Sequence, residues 1–123
     1  MKHPNHINIS IQRAIEILNR DYDSIQSVTE IAEKVGMPYS QLRKLFPRFT
    51  GMSLRAYLHR VRVLKSKRLI RIGFKLYRVA REVGYHDEIA LIRHWKRILG
   101  ITPRKWLFAH PKRHKTVNQK SKP

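Results

Sequence analysis

The chain says nearly the same thing twice, and that repetition limits what it can fold into. Glu30 to Ser53 reads EIAEKVGMPYSQLRKLFPRFTGMS, and Arg78 to Thr102 reads RVAREVGYHDEIALIRHWKRILGIT. Ala32, Val35 and Gly36 fall 48 residues before Ala80, Val83 and Gly84. Leu42, Phe46, Gly51, Met52 and Ser53 fall 49 residues before Leu91, Trp95, Gly100, Ile101 and Thr102, so one residue is inserted after the glycine of the second copy. Such self-similarity marks two copies of one supersecondary unit. Each copy holds a short apolar-periodic segment, a glycine, a few polar residues, and a second segment with large apolar residues four apart. A helix ending at glycine, a tight turn and a second helix make a helix-turn-helix.

Charge narrows the partner. The 123 residues carry 27 Lys and Arg against 8 Asp and Glu, a formal net charge of +19. From Lys34 to Arg81 there is no acid, and from Ile89 onward there is none again. A surface this positive repels itself and calls for a polyanion, nucleic acid first. An anionic membrane fits less well, because the basic helices also carry core-forming faces. No apolar run approaches the length that spans a bilayer, and the first residues lack a signal-peptide apolar region. The absence of cysteine excludes disulfides and zinc-cysteine sites. A soluble protein of the cytoplasm is expected. At this length there is one domain or two small linked lobes, with no room for a ligand-sensing domain as well.

Taken in order, residues 1–8 are polar and read as a loose terminus. Ile11, Ala14, Ile15, Leu18 and Tyr22 give one apolar face to a helix over Ile9–Tyr22. Ser27-Val28-Thr29-Glu30 matches a capping box, so the next helix should run from Val28 to near Gly36. The following helix, about Pro38 to Phe49, turns Leu42, Leu45, Phe46 and Phe49 inward and Tyr39, Ser40, Arg43, Lys44 and Arg48 outward. Pro38 is acceptable as a first helical residue. Pro47 removes a hydrogen bond to the Arg43 carbonyl and predicts a kink or early end. Ser53 caps a long helix, Leu54 to Ile72, with Leu54, Tyr57, Leu58, Val61, Leu64 and Leu69 on its apolar side. At ~1.5 Å per residue it spans ~28 Å, near the ~34 Å between successive major-groove openings on one side of DNA.

The second half starts with a helix over Lys75–Val83. Asp87 then caps a helix over Glu88–Leu99, with Leu91, Trp95 and Ile98 buried. Glu88, Ile89, Arg93 and Lys96 lie on its outer side. Ile92 sits at the edge, where core packing is the commoner fate. Ile89 stands about 200° from Leu91 around the helix. An isoleucine there suits a thymine methyl, and Arg93 suits guanine O6 and N7, although an exposed apolar residue is also ordinary. Thr102-Pro103 opens a short closing helix around Trp106, Leu107 and Ala109, with Trp106 a packing residue. Residues 110–123 are basic, lack periodicity and read as a disordered tail.

With the glycines at 51 and 100, the GY pair at Gly84-Tyr85, and Leu91 and Trp95 followed by Gly100-Ile101-Thr102-Pro103, the chain resembles the C-terminal DNA-binding domain of AraC/XylS-family transcription regulators. In that family the two large residues are usually Phe. The resemblance covers roughly Ile9 to Phe108 and is nearest to the small stand-alone members. It implies an all-α fold of about seven helices: a helix-turn-helix subdomain over 9–52, a linker helix over 53–72, and a second subdomain over 73–109. It also implies sequence-specific binding of double-stranded DNA as a monomer, and contact with RNA polymerase, most often for activation. Arg62 matches a family arginine and either locks the long helix to a neighbouring lobe or remains solvated. The base-reading candidates are Tyr39, Ser40, Arg43, Lys44, Glu88, Ile89, Ile92 and Arg93. The phosphate candidates are Arg48, Lys75, His86, Lys96, Arg97 and Arg104.

Other chemistries find little support. His110 and His114 stand four apart, but Pro111 breaks a helix there and no carboxylate is near, so no metal site or other cofactor is expected. No phosphate-cradling loop or nucleophile-base order suggests an enzyme. The rival readings are an architectural protein that coats DNA without a preferred site, and an interaction module that borrows the fold.

Overall fold

The computed structural model describes residues 2–110, with side chains from Ile7 onward. Of the tail expected over 110–123, only His110 is described; it caps the last helix with its amide donating to Trp106 O at 2.9 Å, while 111–123 lie outside the described residues. Seven helices and no strands occur among them: α1 Lys2–Asp21, α2 Thr29–Val35, α3 Tyr39–Thr50, α4 Leu54–Arg71, α5 Leu76–Glu82, α6 Glu88–Leu99 and α7 Pro103–Ala109. They form two compact units, the first ending at Arg62 and the second beginning at Val63.

In the first unit, α1 begins at Lys2 rather than at Ile9. Pro4 lies in the first turn, where backbone N–H groups have no intrahelical acceptor, so its missing hydrogen costs nothing. Ile7 extends the three- and four-residue series Ile11, Ala14, Leu18 back by one turn and packs against the same core. That core joins Ile11, Ala14, Ile17 and Leu18 to Ile25, Val28, Ile31, Ala32, Leu42, Phe46, Leu54 and Leu58. Glu30 reaches back to the Gln26 and Ser27 amides at 3.0 and 3.2 Å, and the Ser27 hydroxyl accepts from the Thr29 amide at 3.3 Å. The capping box thus forms, with the serine bonding one residue earlier than usual.

The duplication is visible in the hydrogen bonds. After α2 the Met37 amide donates to Ala32 O at 3.1 Å and the Gly36 amide to Glu33 O at 3.3 Å. After α5 the Tyr85 amide donates to Ala80 O at 2.8 Å and the Gly84 amide to Arg81 O at 3.2 Å. These are the same paired closing bonds, 48 residues on. α3 and α6 also end alike: Gly51 donates to Pro47 O at 2.8 Å and Gly100 to Lys96 O at 2.9 Å. Both glycines are left-handed, at φ 84° and 75°, and open space surrounds the position of an added Cβ. Gly51→Ala or Gly100→Ala is therefore expected to cost about 1–2 kcal/mol through backbone strain rather than collision. Urea unfolding checks it, and an unchanged midpoint would remove strain as the reason for glycine.

α3 does not end at Pro47. It continues to Thr50, because Leu42 and Phe46 are fully buried on either side of the lost bond and the last turn is closed by other donors. The Thr50 hydroxyl donates to Phe46 O at 2.9 Å and accepts from the Met52 amide at 3.2 Å. Phe49, expected inside, is 48% exposed.

α4 serves both units. Its first half, capped by Ser53 Oγ accepting from the Ala56 amide at 3.1 Å, buries Leu54, Leu58, Val61 and Arg62 in the first. Its second half buries Val63, Ser66 and Ile70 in the second, while Leu64, expected inside, is 40% exposed. A single apolar stripe assumed one neighbour for the whole helix; the buried positions follow a different register after Arg62. Phe46 meets Tyr57 edge-on at 5.5 Å, and Trp95 meets Trp106 in a similar edge-on way at 5.2 Å, each pair 49 residues from its counterpart. The start of α4 is therefore to the first unit what α7 is to the second. α7 also repeats the cap, Thr102 Oγ1 accepting from the Lys105 amide at 3.2 Å, with Pro103 and Trp106 buried.

Candidate nucleic-acid interface

In the second unit Leu91, His94 and Trp95 anchor the inner side of α6. The opposite side is thereby fixed outward, and Ile89, Arg93, Lys96 and Arg97 share it within about a third of a turn. Ile89 is 67% exposed. Glu88 is exposed in the first turn, and Ile92 is half-buried between the two sides. Asp87 starts the helix with its Oδ1 accepting from the Ala90 amide at 3.0 Å. Its charge also suits the positive end of the helix dipole. His86 is exposed in the turn, Lys75 at the start of α5, and Arg104 in the first turn of α7.

In the first unit Leu42 and Phe46 anchor α3 in the same way, leaving Ser40, Arg43, Lys44 and Arg48 exposed. Tyr39 differs. It is half-buried and packs against the core of its own unit, so much of its ring is spent on packing. The two outer sides are chemically unlike: α3 presents a hydroxyl and three cations, and α6 an isoleucine beside its cations.

One pairing around α6, Tyr85 with His94, escaped the sequence reading, which uses Tyr85 only as part of the Gly84-Tyr85 pair. Tyr85 is buried and its ring stacks on His94, centroids 5.2 Å apart and planes 9° from parallel. His94 Nδ1 lies 2.8 Å from the Arg97 guanidinium. The spacing of His94 from Leu91 and Ile98 on the inner stripe was the available signal, masked by its polarity. Behind the helix, Trp95 Nε1 donates to Ser66 Oγ at 2.7 Å, and Lys67 and Arg71 lie over the Trp106 ring at 5.7 and 5.2 Å. Trp106 thus packs inside the unit, as expected. The long-helix arginine whose role was open is buried: Arg62 donates from Nε to Tyr22 O at 2.8 Å and from Nη2 to Ile25 O at 2.9 Å.

Among the described residues no cluster of three or more His, Cys, Asp or Glu could hold a metal, and no helix is long and apolar enough to cross a membrane. A family model described as a helix-turn-helix domain, of the AraC type, matches residues 31–108, more than half of the chain. The chain belongs to the AraC-type helix-turn-helix family. This family comprises DNA-binding transcription regulators and not enzymes. The chain is 27% identical over 115 residues to the lactose operon transcription activator of Staphylococcus xylosus, covering 93% of this chain and 39% of that protein. It thus spans about two fifths of the length of that curated relative. Among solved structures, it is similar to the C-terminal domain of the two-component response regulator yesN of Fusobacterium nucleatum. That match has a TM-score of 0.67 and 29% identity, and covers 78% of this chain and 92% of that one. It also shares the fold of the DNA-binding domain of AdpA, a global transcriptional factor solved in complex with a target DNA. Here the TM-score is 0.76 and the identity 23%, with 84% and 94% of the two chains covered. Among the described residues the AraC-type chain has only helices as regular structure and shows two helix-turn-helix units, as the repetition predicts.

Proposed function

We propose that this AraC-type chain binds double-stranded DNA at preferred sequences and regulates transcription, setting α3 and α6 into adjacent major-groove segments. The observation that carries the reading is the repeated register: each unit anchors its second helix by large residues at the same two positions, Leu42 and Phe46 or Leu91 and Trp95, and turns outward a side rich in Arg and Lys. Ser40, Arg43, Lys44, Glu88, Ile89, Ile92 and Arg93 supply base contacts, with Tyr39 contributing only its exposed edge. Arg48, Lys75, His86, Lys96, Arg97 and Arg104 supply phosphate contacts, which fix register without reading sequence. One chain then carries the two readers that a single helix-turn-helix gains by dimerising, so a monomer suffices. Because α3 and α6 present different side chains, the two halves of the site differ in sequence. Activation draws support from the similarity to a lactose operon transcription activator, and contact with RNA polymerase is the route by which the bound chain would activate.

Selecting bound fragments from a random duplex library tests this, and recovery of no common sequence would overturn it. The net charge of +19 favours a second reading, a protein that coats DNA without preference. That protein would show a steep salt dependence and equal affinity for selected and random duplexes. Within the first reading, Arg93→Ala is expected to weaken binding of the selected site by about 1–3 kcal/mol and relax preference at one position. Lys96→Ala should weaken all duplexes about equally. Equal losses on selected and random DNA for Arg93→Ala would remove it from the readers.

A further inference from the structure

His94 is a buried polar residue that DNA reading by α6 leaves without a task. It is 7% exposed, and its ring lies parallel to Tyr85. Its Nδ1 stands 2.8 Å from Nη2 of Arg97, one turn further along the helix. A guanidinium has donors only, so Nδ1 is the acceptor, and the imidazole is the neutral tautomer with hydrogen on Nε2. This bond uses one of the five N–H donors of Arg97 and leaves four for another partner. A long exposed side chain surrenders rotamer freedom when it engages a phosphate, and a side chain already held surrenders less. The first repeat has no such device. Met37 and Leu45 occupy the positions of Tyr85 and His94, and both are apolar residues packed against the core.

We propose that His94 is a positioning residue for DNA binding: through Nδ1 it holds the Arg97 guanidinium on the outer side of α6, ready for a backbone phosphate. The stack on Tyr85 in turn fixes the ring that does the holding. The proposal rests on reading Arg97 as a phosphate contact, and the experiment separates the two.

Binding of the full chain to a selected duplex is measured across salt for Arg97→Ala, His94→Phe, His94→Gln and the double variant His94→Phe/Arg97→Ala. Arg97→Ala is expected to reduce the slope of log affinity against log salt by about 0.9. An unchanged slope would overturn the phosphate reading, and the proposal with it. His94→Phe keeps a flat ring on Tyr85 but removes the acceptor, and should lose affinity roughly 2–5-fold without lowering the urea midpoint enough to unfold the chain. Added to Arg97→Ala it should cost less than about twofold more, because the two act through one contact. His94→Gln, whose Oε1 can accept from Arg97, should recover most of the loss. Full additivity, or no loss in His94→Phe while Arg97→Ala flattens the slope, would overturn the role of His94 alone. If His94→Phe does not fold, nitrogen NMR of the unaltered protein decides. An unprotonated Nδ1 with Nε2–H supports the proposal, and an imidazolium or an Nδ1–H tautomer overturns it.

Discussion

Trp95→Ala is expected to cost the second unit about 3–5 kcal/mol, within the range for emptying a large aromatic site in a core. A small domain has only about 5–15 kcal/mol in all, so this variant should populate unfolded or partly folded chains at ambient temperature. The size of the effect follows from three roles. Trp95 is fully buried, it meets Trp106 edge-on at 5.2 Å, and its Nε1 donates to Ser66 Oγ at 2.7 Å. Ser66 in turn donates to the Val63 carbonyl at 2.6 Å, so the indole holds α6 to the second half of α4 as well as to α7. Trp95→Phe should be far milder, about 1–2 kcal/mol for the lost hydrogen bond and part of the ring. The first repeat already works with Phe46 at the corresponding position. Urea unfolding followed by circular dichroism measures both variants. A loss below about 1 kcal/mol for Trp95→Ala would mean that the second core is not built on this residue.

Arg62→Met should be comparably damaging to the first unit, at about 3 kcal/mol. The side chain is 6% exposed and gives charged donors to two backbone carbonyls, Tyr22 O at 2.8 Å and Ile25 O at 2.9 Å. Hydrogen bonds from a charged group contribute about 1.5–3 kcal/mol each, and removing the donor leaves acceptors that must find water or stay unpaired. Methionine fills much of the volume and isolates the polar loss from a cavity. Arg62→Lys keeps the charge but cannot span both carbonyls with a rigid fork, and should recover less than half of the loss. Amide exchange should rise first in the segment between α1 and α2, which these bonds pin to α4. Unchanged exchange there, with unchanged stability, would show that the segment is held by its apolar residues alone.

How much could be read beforehand depended on whether a side chain's neighbour was local. Apart from the start of α1, helix ends with a cap or a closing glycine were legible because their causes sit within four residues: the capping carboxylates at Glu30 and Asp87, the hydroxyls at Ser53 and Thr102, and the closing glycines. The outward side of α6, and Ser40, Arg43, Lys44 and Arg48 on α3, followed from period once Leu42, Phe46, Leu91 and Trp95 were taken as anchors. Period also placed Phe49 inside and Tyr39 outside, whereas the structure has Phe49 exposed and Tyr39 half-buried. What escaped was decided by partners far along the chain. Leu64 looked buried on a stripe that assumed one neighbour, whereas Val63, Ser66 and Ile70 face a second one. Pro47 looked like a stop because its local cost is plain, and the burial of Leu42 and Phe46 that outweighs it is tertiary. His94 reads as an interruption of an apolar stripe until Tyr85 is placed beneath it.

A division between compact units usually falls in a loop, but here it falls between Arg62 and Val63, inside an unbroken helix. Starting a helix is the expensive step, with a statistical penalty on the order of a thousandfold, while lengthening one is nearly free. Whichever unit organises first therefore hands its sibling several turns already wound, and the second needs only to dock side chains on them. Two copies strung on a tether would pay for that initiation twice; one helix spanning the boundary needs it once.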